Sequence, residues 1–173
     1  GPAGQHRRLM RARRQLFVLG AVALLASGCG FQLRQWPTLP FRTLAFVGFA
    51  PNSPLAAALK RELALASVNV IEQPGRAEAV MEALADTREK TVAASTAAGQ
   101  VRELQLRTRL RFRVGTPQGK LLLAPVDLLL TRDLSYSETA ALGKAQEETQ
   151  LYAAMDDDIV VQVIARLAAI KPA

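Results

Sequence analysis

The amino-acid sequence predicts an α+β domain: two helices packed on one face of a mostly antiparallel sheet, a two-layer sandwich. From Leu104 to Val114 the even positions Leu104, Leu106, Thr108, Leu110, Phe112 and Val114 alternate with Arg107, Arg109, Arg111 and Arg113. A period of two marks a strand with one largely apolar face. A turn signal, Thr116-Pro117-Gln118-Gly119, joins that strand to a second apolar run, Lys120 to Asp133. Two other segments carry apolar residues three and four apart: Leu55, Leu59 and Leu63 early, and Tyr152, Met155, Ile159, Val163, Leu167 and Ile170 late.

Taken in order, residues 29–41 read as an extended tether, because Pro37 and Pro40 bias the residues before them away from helix. Residues 42–171 have the size of one domain with one core. Thr43 to Phe49, rich in β-branched and aromatic residues, is the first strand, and Pro51, Asn52 and Ser53 turn it. Ser53 caps a helix with Pro54 in its first position and Leu55, Leu59, Leu63 and Ala66 on its inner side. Val68 to Ile71 is a short strand ended by Pro74 and Gly75. For Glu78 to Ser95 two readings stand: the Ala, Glu and Leu content favours helix, while the alternation Val80, Glu82, Leu84, Asp86 supports a strand. In the hairpin, Asp127 falls on the arginine face near Arg107 or Arg109. Pro125 has no N–H to donate and suits an edge or a bulge. After a polar stretch, Ser135 to Lys144, the last helix runs from Ala145 to Ile170. The order is β-α-β-β-β-β-α.

The N-terminus reads as a targeting segment. Arg7, Arg8, Arg11, Arg13 and Arg14 precede an apolar run of 11 residues, Leu16 to Ala26, and then come Ser27, Gly28 and the only cysteine, Cys29. A basic region, a short apolar region and small residues before a cut make a secretory signal, and about 20 apolar residues would be needed to span a bilayer. A cysteine directly after small residues looks like a lipobox, with Leu25 one place earlier than usual. Residues 1–28 are expected to be removed, 1–9 being sequence upstream of a start at Met10, and Cys29 to carry a covalent diacylglycerol and acyl lipid. That lipid is the expected membrane anchor. Gly30 stands where Asp would signal retention at the inner membrane, which points to the outer membrane.

The full chain has a net charge of +7, but the part from Cys29 onward holds 17 basic and 15 acidic residues, a net +2. Nucleic acid is therefore not an expected partner. Once His6 leaves with the signal and Cys29 is acylated, Ser-His-Asp, Cys-His and histidine-containing zinc chemistry have no residues to work with. No phosphate-cradling glycine loop occurs, so no enzyme activity and no cofactor is expected. Asp156-Asp157-Asp158 splay around a helix and read as a solvated face. The arginine ladder is the sharpest feature, a stripe about 20 Å long. It has two readings. One is a solvated face paired with Asp127 and nearby acids; the other is a surface that meets a polyanion or a polar partner wall. Lys120 and Lys144, near predicted loop ends, share that ambiguity.

Cys29-Gly30-Phe31-Gln32-Leu33-Arg34 after the signal, and Leu151-Tyr152-x-x-Met155-x-x-Asp158-x-Val160-x-Gln162-x-x-x-Arg166-Leu167 near the end, resemble the lipopolysaccharide-assembly lipoprotein family, LptE. The resemblance implies two helices on a four-stranded sheet, with 78–95 a strand. It implies an outer-membrane lipoprotein whose domain sits on the periplasmic side inside the lumen of the LptD β-barrel. There it would plug the barrel, help it assemble and bind lipopolysaccharide during delivery to the cell surface. Family contacts to lipopolysaccharide are basic residues near the loops. Lys144 matches one by position; Ala97-Ala98-Gly99 lacks a basic residue where another is expected, and Arg102 is the nearby substitute. The competing readings are a structural or peptidoglycan-associated outer-membrane lipoprotein without a lipopolysaccharide role, and a carboxylate-based periplasmic enzyme.

Overall fold

The computed structural model describes residues 37–171; the signal, Cys29 and most of the tether lie outside the described residues. The elements are β1 (Thr43–Val47), α1 (Pro54–Leu65), β2 (Asn69–Ile71), β3 (Ala79–Ser95), β4 (Val101–Gly115), β5 (Leu121–Ser135) and α2 (Ala141–Ala168). They form a five-stranded mixed sheet in the order β2-β1-β3-β4-β5. This corrects the expected four-stranded, mostly antiparallel sheet. The fifth strand is the short β2, and β1 pairs in parallel with both β2 and β3. The physical reason is α1, a crossover helix between β1 and β2: parallel neighbours need such a long connection, which carries the chain back to the start of β1. Only the β3–β4 and β4–β5 pairs are antiparallel.

Local chemistry accounts for most element boundaries. The Ser53 hydroxyl accepts the Ala56 N–H at 3.1 Å, capping α1 as its sequence predicts, with Pro54 in the first turn. Gly48 follows β1 with φ +77°, and a Cβ there would lie 2.4 Å from the Ala83 carbonyl oxygen, so only glycine fits this close approach. Residues 79–95 are strand: β3 pairs with β4 from Val80 opposite Gly115 to Ser95 opposite Val101. The long partner strand satisfies its backbone groups, and pairing overrides the helix propensity of its alanines. β5 is an edge strand, and the register shift between Phe112 and Val114 falls opposite Pro125. α2 starts at Ala141 after a single 3-10 turn at Glu138–Ala140 and ends at Ala168, so it takes in the end of the expected polar linker.

Both helices cover the same face. Leu44, Met81, Leu110 and Phe112 of the sheet pack against Leu55, Leu59 and Leu63 of α1 and against Ile159, Val163 and Leu167 of α2. Leu39 and Phe41 are also buried, so the end of the segment expected as tether is part of the core. A smaller cluster, Leu106, Leu134 and Met155, lies nearer the start of α2, toward the β3–β4 turn. α1 has 12 residues and α2 has 28, so at about 1.5 Å per residue α1 spans less than half the length of α2. The molecule therefore has two unlike ends. At the tether end, the start of β1 lies beside the start of β3, and Val80 of β3 faces Gly115 before the β4–β5 turn. At the hairpin end, β3 and β4 turn through residues 96–100, and Glu103 lies opposite Ser135.

Candidate functional site

The ladder forms as its period predicts. Arg107, Arg109, Arg111 and Arg113 are exposed on the open face of β4, while Leu106, Thr108, Leu110, Phe112 and Val114 are buried on the helix-covered face. It is not a bare cationic stripe. Arg109 donates to both carboxylate oxygens of Asp127, at 2.9 and 2.6 Å, and Arg113 donates to Glu82 at 2.6 Å. Arg107 donates twice to Gln105, whose amide in turn donates to Asp133 at 3.3 Å. Glu89 lies opposite Arg107 in the register. Four acids thus interleave with four arginines. Hydrogen bonds from Arg109 hold the Asp127 carboxyl below the usual carboxylate range, and Asp127 raises the Arg109 guanidinium in return. Arg111 has no ion-pair partner within 4.0 Å among the described residues.

The other expected contacts do not join the ladder. Arg102 opens β4 at the hairpin end, where its carbonyl accepts the Tyr136 N–H at 2.8 Å. Lys144 lies near it on the first turn of α2, donating to the Ser135 hydroxyl at 2.9 Å and to Glu147 at 2.7 Å. Lys120 sits at the opposite end, in the β4–β5 turn. The seven basic residues therefore divide into a face and two ends, with Cys29 outside the described residues.

Sequence reasoning missed a polar cluster under α2. Arg88 of β3, on the covered face opposite Thr108, forms an ion pair with Asp156 of α2. Its guanidinium lies 4.9 Å from the Tyr152 ring centre, and the Tyr152 hydroxyl donates to the Glu89 carbonyl at 2.8 Å. Lys90–Glu148 at 3.0 Å and Arg132–Asp158 at 3.1 Å are further ties between the sheet and α2. The expectation that Asp156–Asp158 form a solvated face is thus corrected for Asp156, which is 4% exposed. Burial raises its carboxyl above the usual range, opposed by Arg88. The available signal was the helical period: Asp156 lies four residues after Tyr152 and four before Val160, on the inner stripe. Its Oδ1 and the Thr108 hydroxyl are buried without a hydrogen-bond partner among the described residues.

Among the described residues no group of three His, Cys, Asp or Glu side chains is placed to hold a metal, and no helix is long and apolar enough to cross a membrane.

Comparison with known proteins agrees on one assignment. A family model described as LptE, lipopolysaccharide-assembly, matches residues 41–167. The chain is 26% identical over 165 residues to the LPS-assembly lipoprotein LptE of Pectobacterium atrosepticum, covering 94% of this chain and 89% of that one. It is 25% identical over 167 residues to the LPS-assembly lipoprotein LptE of Yersinia enterocolitica, covering 95% and 80%. Among solved structures, lipoprotein B of Nitrosomonas europaea superposes with a TM-score of 0.67 at 28% identity, over 82% of this chain and 92% of that one. A minor lipoprotein of Acinetobacter baumannii shares the fold with a TM-score of 0.61 at 21% identity, over 77% and 94%.

Proposed function

The chain belongs to the LptE lipopolysaccharide-assembly family, and on that premise we propose that it is an outer-membrane lipoprotein, anchored through an acylated Cys29, that plugs the LptD barrel. In this reading it assists assembly of the barrel and binds lipopolysaccharide on its way to the cell surface; it performs no catalysis and needs no cofactor. The observation that carries the proposal is the open face of the sheet. A barrel lumen is polar, and a plug needs a wall that can exchange hydrogen bonds over a long surface. The interleaved arginines and acids of β3, β4 and β5 supply that wall.

Within it, Arg111 is the arginine with spare donors for a lipid A phosphate, while Arg102 and Lys144 offer a second contact at the hairpin end. Arg107, Arg109 and Arg113 already hold protein partners, so their role is to build the wall. Lys120 lies in the β4–β5 turn, at the opposite end of the sheet from Arg102 and Lys144.

A gentle-detergent pull-down of the tagged, lipidated protein from its own outer membrane tests the reading, and the expected eluate contains a stoichiometric large β-barrel. A solitary lipoprotein, or one that brings down only peptidoglycan, would overturn it. Neutralising Arg109, Arg111 and Arg113 together should weaken lipopolysaccharide binding or barrel association, and any binding to the ladder should fall with added salt. Unchanged binding of both partners in a folded triple variant removes the ladder from the proposal.

A further inference from the structure

We infer that the tether end is a docking face for an anionic phospholipid membrane. The inference rests on the reading that Cys29 carries the anchor. A cleft between the start of β5 and the end of α2 is lined by Lys120, Arg166 and Lys171 together with Leu121, Leu122 and Ile170, and no acidic side chain among the described residues lines it. Among the described residues none of these three cations has an acidic partner within 4.0 Å. Arg166 uses one N–H on the Gln162 carbonyl at 2.9 Å and keeps its other donors. The contrast is with the open face, where acids interleave with every second arginine or closer.

Apolar groups accompany the charge. Leu121 is 54% exposed beside the cleft, and Leu65, at the end of α1, is 64% exposed. Leu65 lines a hollow with Pro37, Thr38 and Arg42, where the chain arrives from Cys29. Lysine and arginine beside exposed leucine suit an interface of lipid phosphates and upper acyl carbons.

Chain length favours one end of the domain for contact with the bilayer. Cys29 and Pro37 are eight residues apart, at most about 29 Å when fully extended. The hairpin end lies a further 50 Å or so away, the length of a 15-residue strand at about 3.4 Å per residue. An anchor at Cys29 therefore leaves Lys120, Arg166 and Lys171 within reach of the headgroups, with Arg102 and Lys144 at the far end of the sheet.

The test uses the full lipidated chain in vesicles of phosphatidylethanolamine with phosphatidylglycerol, or of phosphatidylcholine alone, each containing a bilayer-embedded quencher. A fluorophore on Gln118→Cys reports the tether end and one on Ala98→Cys the hairpin end. We expect several-fold stronger quenching at Gln118 in the anionic vesicles, lost in high salt and in a Lys120→Glu/Lys171→Glu variant with an unchanged circular dichroism spectrum. Ala98 should stay unquenched. Equal quenching at the two positions, or quenching at Gln118 indifferent to lipid charge, overturns the inference. Quenching that appears only when lipopolysaccharide is added assigns the cleft to that ligand and overturns the phospholipid assignment. The mass of the purified chain reads the anchor separately. If the acyl groups are absent, the anchor reading falls, and cosedimentation with the same vesicles decides the docking face. Salt-sensitive preference for the anionic ones supports it, and no preference overturns it.

Discussion

On the open face of the sheet Arg109 grips Asp127 with two hydrogen bonds, while on the covered face Arg88 meets Asp156 beneath α2. The chemistry of the two pairs is the same; their surroundings are not. Asp127 has a side chain 43% exposed and its carboxyl is held low by Arg109. Asp156 has a side chain 5% exposed, and its carboxyl is pushed up by burial even with an arginine in contact. Removal from water costs the charged form more than the partner returns. An ion pair therefore adorns the open face of the sheet and governs the covered one.

The strongest way to break this contrast is Arg88→Met, which strands a buried carboxylate. We expect a loss of about 3 kcal/mol in urea unfolding, the low end for breaking a buried pair because Arg88 is itself partly exposed. Adding Asp156→Asn should recover most of the loss; no recovery would mean that Arg88 acts through its packing on Tyr152. Next comes Thr108→Val. The Thr108 hydroxyl is buried without a partner among the described residues, so the isosteric apolar change should stabilise by about 1 kcal/mol. A destabilised variant would show that the hydroxyl has a partner in solution.

The pH dependence sharpens the comparison by sign. Asp156 takes up a proton more readily folded than unfolded. The stability this proton supplies is complete below the unfolded carboxylate value of about 3.9 and is lost as pH rises through the raised folded value. Asp127 behaves oppositely: its contribution is present above the unfolded value and is lost as pH falls through the lowered folded value. Urea midpoints should therefore show wild type gaining on Asp156→Asn as pH falls from neutral to about 4, and losing ground to Asp127→Asn only as pH falls further, below about 4. Two parallel profiles would refute the contrast. The smallest effect is expected for Arg109→Gln or Asp127→Asn at neutral pH, where the midpoint should stay within error of wild type because exposed pairs contribute little.

Much of the fold was legible because its signals are local. The ladder strand follows from a period of two in Leu104–Val114, and the start of α1 from Ser53 and Pro54. The family was legible in the short motifs around Cys29 and Tyr152, and the match over residues 41–167 agrees with them. Glu78–Ser95 was not decidable from composition, since its alanines favour helix and only pairing along β4 makes it a strand. Asp156 was misread because three consecutive acids look like a solvated face until helical phase puts one of them inward.

The sequence by itself determined the alternation of faces, the capped helix, the apolar stripe of α2 and the presence of an arginine stripe, all properties of residues close together in the chain. Only the tertiary structure decided that Glu82, Glu89 and Asp133 join Asp127 among the arginines of the stripe, and that Asp156 lies under a helix against Arg88. The same is true of the separation of Lys120 from Arg102 and Lys144 to opposite ends of the sheet. Those outcomes depend on strand register and on which element covers which face, and charge energetics follow the local dielectric that such placement creates. A residue's charge is written in its side chain; what that charge costs is set by neighbours far away in sequence.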